Sequence, residues 1–214
     1  MKITKKEIFL FVFMCIGNIM LGMGIAFLRL AAYGTDPYSC MNIGLSGQLS
    51  ISYGTCQLIV NILLFIPVIL VIPKSFGIGT FVNMIGIGYI VDFIMWILGE
   101  FGITIEMFTD KLPIRIVFVI VGILVLCLGI GMYMECNMGY APYDAVGLVL
   151  EKVSGGKLTF RWMRVMADVI CMVVGFLSGG AVGIVTVVVA FFTGPLVSWY
   201  RTRFARLVMK IENH

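Results

Sequence analysis

The sequence predicts an all-α polytopic membrane protein, with six transmembrane helices forming two inverted three-helix repeats, each holding a short re-entrant half-helix. Three observations predict it. The 214 residues are 61% hydrophobic and only 12% charged, with a mean hydropathy of +1.09. A soluble domain carries about 25% charged residues, so the surrounding solvent is lipid. Six stretches reach the roughly 20 apolar residues that a spanning helix needs. Finally, the chain repeats itself: Gly34-Thr35-Asp36-Pro37-Tyr38-Ser39 returns 105 residues later as Gly139-Tyr140-Ala141-Pro142-Tyr143-Asp144.

Residues 1–7 carry Lys2, Lys5 and Lys6 and form a cytoplasmic N-terminus. The first span, 8–32, is too long for the apolar core of a signal peptide, about 7–15 residues, and is read as retained. Segment 37–50 follows as a half-helix, and spans 54–73 and 77–98 complete a first repeat over 8–98. An outer linker, 99–112, leads to the second repeat, 113–200. This holds spans 113–134, 160–178 and 181–200 and a half-helix at 142–153. A basic cytoplasmic tail, 201–214, closes the chain. Within it Phe204, Leu207 and Val208 alternate with arginines, the pattern of an amphipathic extension on an anionic leaflet. The half-helices are too short to span. About 14 residues at 1.5 Å each give roughly 21 Å against a hydrocarbon core of about 30 Å. Irregular backbone at that depth must be lined by protein or water.

Basic residues set the orientation. Lys2, Lys5, Lys6, Lys74, Lys152, Lys157, Arg161, Arg164, Arg201, Arg203, Arg206 and Lys210 fall on the cytoplasmic side, while only Lys111 and Arg115 fall outside. That is a positive-inside split. If the half-helices spanned fully, eight spans would move Lys74 outside and the 99–112 loop inside, so six is preferred.

The duplication extends past the opening motif. Gly24 and Gly129 precede the two motif glycines by ten positions each, and Asn61 matches Asp168 at an offset of 107. Gly77-Ile78-x-Thr80 with Gly88 matches Gly183-Ile184-x-Thr186 with Gly194 at an offset of 106. Three spans per half is an odd number, so the second half lies upside down relative to the first. Inverted repeats with interrupted helices recur among transporters. The double G-x-x-P-Y motif and the G-I-x-T…G element resemble the YczE/YitT-like bacterial integral membrane proteins over nearly the whole chain. That resemblance implies a multi-pass protein of the bacterial inner membrane and implies no substrate. It also marks Ser39 as a departure, since the family often has an acidic residue there, which Asp144 retains.

Pro37 and Pro142 suit the first position of a helix. Asp36 then becomes an N-cap and Asp144 the third helical residue, where carboxylates bond free backbone N–H groups. Alternatively, these acids with Tyr38, Tyr143 and Ser39 form a substrate or ion site between two half-helix N-termini. A bare N-terminus favours an anion, and carboxylates already there favour a cation or proton, so charge selectivity stays open. With Arg161 and Arg164 counted as cytoplasmic, Arg29 is the only basic residue inside a predicted span, and Glu135 holds nearly the equivalent place in the other half. An intramembrane charge needs a partner or water: Arg29–Glu135 and Arg29–Asp36 are the candidate pairs, with snorkelling the plain alternative. Asp92 and Asp168 are intramembrane acids. Asn18, Asn61 and Asn83 are expected to make interhelical hydrogen bonds. Asn61 and Asp168 stand out because both equivalent places are polar. Gly34, Gly139, Gly77, Thr80, Gly88, Gly183, Thr186 and Gly194 are assigned to structure.

Six dispersed cysteines without C-x-x-C exclude a disulfide framework or zinc site and read as small buried hydrophobes. The one histidine is His214. Walker A, H-E-x-x-H and G-x-S-x-G motifs are absent. The expectation is therefore no enzyme, cofactor, metal or nucleic acid; the partners are the lipid bilayer and a small solute, with a homodimer left open. The leading function is a secondary transporter or exporter, proton-coupled through Asp36, Asp144, Glu135 or Asp168. The alternatives are a substrate-capture subunit of an energised complex, and a membrane regulator or assembly factor that transports nothing.

Overall fold

The structure is a computed structural model that describes residues 4–108, 110–155 and 160–212. Lys2, Lys157 and His214 lie outside the described residues, as do the side chains of Lys74, Arg161 and Lys210. The described helices are α1 (Lys5–Ala31), α2 (Pro37–Leu49), α3 (Tyr53–Val71), α4 (Ile78–Glu100), α5 (Leu112–Glu135), α6 (Pro142–Val153), α7 (Phe160–Leu177) and α8 (Ile184–Glu212). Short 3₁₀ turns occupy Pro73–Ser75 and Glu106–Phe108, and no strand occurs among the described residues.

Five helices, α1, α3, α4, α5 and residues 184–208 of α8, are long and apolar enough to cross a membrane. The expected sixth span exists as α7, which is 18 residues long. It falls outside the five because Arg161, Arg164 and Asp168 interrupt its apolar run. Helix α8 does not stop at residue 200 but continues unbroken through the basic tail to Glu212. The molecule wears its hydrophobic residues outward: Leu63 is 62% exposed, Leu70 77% and Phe176 70%. Contiguous apolar surface on this scale suits a lipid contact.

The centre is the antiparallel pair α1·α5. Gly17 meets Met132, Gly24 meets Leu126 and Gly122 meets Leu28, so one sequence ascends while the other descends. A Cβ on Gly24 would stand 2.6 Å from the backbone nitrogen of Leu126. Small residues here let two backbones approach where lipid offers no hydrophobic drive between helices. Helix α4 packs on α1 and α8 on α5, while α2 and α6 each pack between α3 and α7. One inequality matters: α3 packs closely on α4, whereas α7 barely touches α8.

The repeated motifs interlock. Helix α1 ends on left-handed Ala32 and α5 is followed by left-handed Asn137, at φ 53° and 51°. Gly34 and Gly139 follow at φ 103° and 113°, in a region that glycine enters without steric cost. The first bend receives the start of α8: Val185 N–H donates to the Tyr33 carbonyl at 3.1 Å. The second receives the start of α4: Gly79 N–H donates to the Met138 carbonyl at 2.9 Å. Thr80 Oγ1 accepts from Gly77 N–H at 3.4 Å and Thr186 Oγ1 accepts from Gly183 N–H at 3.2 Å. Each G-I-x-T element is thus a helix start seated against the bend of the other half. Gly88 packs against Gly54 of α3, while its counterpart Gly194 faces open space.

Candidate functional site

The two bends deliver α2 and α6 to the middle of the molecule with their N-termini together. Tyr38 and Tyr143, the second residue of each helix, stack with ring centroids 4.2 Å apart and planes 17° from parallel. Each hydroxyl points to the long helix behind it. Tyr38 donates to Asn61 Oδ1 at 2.9 Å, and Tyr143 donates to Asp168 Oδ1. The matched polar pair of the sequence is therefore a matched pair of tyrosine acceptors.

Asp36 caps α2, its Oδ2 accepting from Ser39 N–H at 3.0 Å. Ser39 is buried and accepts a hydrogen bond from the Tyr53 hydroxyl at 2.9 Å. Asp144 does not repeat this capping role. Its carboxylate takes Arg164 at 2.5 Å, and the same guanidinium lies 3.7 Å from Asp168 and 4.5 Å from the centre of the Tyr143 ring. One arginine thus faces both acids and the tyrosine of the second half. The first half, with Ser39 and Asn61 at the equivalent positions, is neutral there and has no such cation to hold.

A cavity of about 80 Å³ lies at this junction, and all eight helices contribute to its wall. A single water needs about 10–15 Å³ measured this way, so there is room for several waters or one small solute. Several wall groups are buried without a hydrogen-bond partner among the described residues: Asp36 Oδ1, Gln57 Oε1, both amide atoms of Asn83 and the Tyr133 hydroxyl. Such groups are costly when unmet, so the cavity is a polar-lined chamber rather than an apolar packing defect. A second cavity of about 450 Å³ shares Asp144, Arg164, Asp168 and Thr193 with the first and runs between α7 and α8 to Ser198 and Arg201.

The structure gathers Asp36, Tyr38, Ser39, Asn61, Tyr143, Asp144 and Asp168 around this chamber. It leaves two expected residues elsewhere. Arg29 and Glu135 end helices that run in opposite directions, so the Arg29–Glu135 pair cannot form. Glu135 bonds Arg201 at 3.2 Å instead, and Arg29 lies over the Tyr53 ring, 5.4 Å from its centre, rather than on Asp36. Of the asparagines expected to bridge helices, Asn61 does so, accepting from Tyr38 and donating to the Met84 carbonyl at 3.4 Å. Asn18 and Asn83 have no hydrogen-bond partner among the described residues. Asp92 accepts from the Gly54 N–H at 2.8 Å, tying α4 to the start of α3. The chamber residues Arg164, Gln57 and Tyr133 were not singled out from sequence as site residues. Arg164 had a readable signal, since it lies four residues before Asp168 on one helix face.

A family model described as a family of unknown function, DUF6198, matches residues 8–202. The chain belongs to the DUF6198 family. Among curated proteins it is 26% identical over 193 residues to an uncharacterized protein of Haemophilus influenzae, covering 88% of this chain and 81% of that one. It is 24% identical over 184 residues to the uncharacterized protein YyaS of Bacillus subtilis, covering 85% and 87%. It is also 24% identical over 195 residues to the uncharacterized membrane protein YczE of Bacillus subtilis, covering 90% and 86%. No solved structure matches the chain. With its five long apolar helices, this DUF6198 chain is a multi-pass helical membrane protein, and the resemblance to YczE read from the repeated motifs holds.

Proposed function

We propose that this DUF6198 protein is a secondary transporter of a small solute, built from two inverted halves, with α7 as its sixth span. The observation that carries the reading is the central chamber, enclosed by the eight described helices and lined by buried polar groups with no partner among the described residues. Discontinuous helices meeting at the midplane around a site are the recurring plan of carriers that alternate access.

The unequal packing of the halves supports a one-sided state. Gly88 against Gly54, with the Asp92–Gly54 hydrogen bond of 2.8 Å, shuts the seam between α3 and α4. At the equivalent seam between α7 and α8, Gly194 and Ser198 line the larger cavity. That cavity leads from the chamber to the end carrying Arg201, which the positive-inside split assigns to the cytoplasm. The termini are cytoplasmic in this reading, the bilayer is the bacterial inner membrane, and no cofactor or nucleic acid takes part. Coupling falls to Asp36, Asp144 and Asp168, because Glu135 is engaged with Arg201.

Purified protein in proteoliposomes tests the reading. An imposed pH or salt gradient should drive solute-dependent flux with some member of a broad panel of small metabolites and antibiotics, and Asp144→Asn should abolish it. No flux with any candidate, together with an unchanged cellular phenotype in Asp144→Asn, would reject a carrier in favour of a non-transporting membrane protein.

A further inference from the structure

We propose that the central chamber binds a compact monovalent cation, an alkali-metal ion or a primary ammonium, anchored on Asp36 Oδ1. As a role in coupled transport this rests on the carrier reading above; as a binding site it stands on its own.

The charge balance of the wall points to a cation. Its charged groups are Asp36, Asp144, Asp168 and Arg164, three carboxylates against one guanidinium. Arg164 lies on Asp144 and Asp168. Arg29, over the Tyr53 ring outside the wall, would compensate one more acid and still leave a carboxylate over. Asp36 spends Oδ2 on capping α2, and its Oδ1 is buried without a partner among the described residues. The positive end of α2 is thus already neutralised by its own cap, so the site does not behave as a bare helix N-terminus.

The neighbouring groups identify the cation's class. Gln57, Asn83 and Tyr133 are 4%, 1% and 1% exposed, line the same chamber and bring the unpartnered oxygens Oε1, Oδ1 and the hydroxyl. They come from α3, α4 and α5, so they surround the space rather than crowd one side. Neutral oxygens with one carboxylate suit a hard cation of low charge. Among the described residues no group of three His, Cys, Asp or Glu could hold a metal ion, which disfavours a divalent or transition metal. A volume of about 80 Å³ has room for a bare or partly hydrated ion or a methylammonium-sized molecule.

Thermal unfolding of the full chain in lipid nanodiscs supplies the test. Sodium, potassium and methylammonium chlorides are titrated separately at fixed total salt, with N-methylglucamine chloride as the balancing salt. Wild type should be stabilised saturably by at least one of the three, and which one responds separates the inorganic from the organic ligand. Asp36→Asn keeps the helix cap, since Asn caps as well as Asp, and should weaken the midpoint about tenfold or more, because contacts to a charged group are the strong ones. Tyr133→Phe, which removes one oxygen and little volume, should weaken it about two- to fivefold, as for a neutral hydrogen bond. No cation-specific stabilisation, an equal effect in Asp36→Asn, or a response to pH alone would each overturn the site. Saturable binding without flux in proteoliposomes would keep the site and remove the carrier. Flux undiminished in N-methylglucamine would keep the carrier and remove the cation.

Discussion

Replacing Arg164 by Met probes how the second half holds its charges. The side chain keeps its length but loses the guanidinium that faces Asp144 at 2.5 Å, Asp168 at 3.7 Å and the Tyr143 ring at 4.5 Å. The two carboxylates left behind are only 14% and 10% exposed. Breaking a fully buried ion pair from one side costs about 3–5 kcal/mol. Arg164 itself is 30% exposed, and solvent screening lowers the cost of losing its partners to roughly 2–3 kcal/mol. For a chain of this size that is a fall of roughly 5–10 °C in the unfolding midpoint. The control is Arg164→Met combined with Asp144→Asn and Asp168→Asn, which removes both orphaned charges. If unpaired carboxylates are the cause, the triple variant regains most of the loss. Unfolding is followed by intrinsic fluorescence in nanodiscs. A triple variant no more stable than Arg164→Met alone would refute the electrostatic account and leave packing of the arginine stem as the explanation.

The two motif glycines should respond oppositely to alanine. Gly88→Ala places a Cβ 2.7 Å from Gly54 Cα and should destabilise by about 1–3 kcal/mol, whereas Gly194→Ala meets open space and should gain up to about 1 kcal/mol from helix propensity; equal effects would contradict the unequal seams. Cysteines at Ser52, just beyond α2, and Val153, at the end of α6, should be labelled by an impermeant maleimide from opposite membrane faces, and same-side labelling would overturn the inverted arrangement. Tyr38→Phe removes the hydrogen bond to neutral Asn61 and should cost about 1 kcal/mol; Tyr143→Phe removes a bond to a carboxylate and should cost about 1.5–3 kcal/mol. Chemical denaturation that shows no difference between the two would deny the charged character of the second pair.

Elements set by short-range chemistry were legible in the sequence. Pro37 and Pro142 open the two short helices, and Asp36 is an N-cap as its position implied. The G-I-x-T recurrence was visible as a pattern, but its physical role was not, because the partner of each copy lies in the other half of the chain. Gly183 and Thr186 close around the bend at Tyr33–Gly34, and Gly77 and Thr80 around Met138–Gly139. The errors are equally instructive. Pairing Arg29 with Glu135 assumed that equivalent positions in two repeats are neighbours. An antiparallel α1·α5 core puts them at opposite ends. Arg164, near the start of span 160–178, was counted as a cytoplasmic charge, whereas its long side chain reaches the acids Asp144 and Asp168.

That last point bears on how the two halves divide the work. At the equivalent positions, the first half has Ser39 and Asn61 where the second has Asp144 and Asp168. Arg164 is the second half's answer to that difference. The ordering at the seams runs the other way: Asp92 ties α4 to α3 at Gly54, while Ser198, its counterpart at the same offset of 106, lines the larger cavity between α7 and α8. The first half thus brings one acid, Asp36, to the chamber and is closed at its seam, and the second brings Asp144, Asp168 and Arg164 and is open at its seam. A symmetric carrier would switch between mirror-image states of equal standing. In the carrier proposed above, closure of the space between α7 and α8 would involve Arg164, Asp144 and Asp168, because all three line both cavities. In that proposal, a ligand or proton that changes the charge of the trio acts on the wall shared by the two cavities. The stacked Tyr38–Tyr143 pair, 4.2 Å between centroids, joins α6, which carries Asp144, to α2, which Asp36 caps.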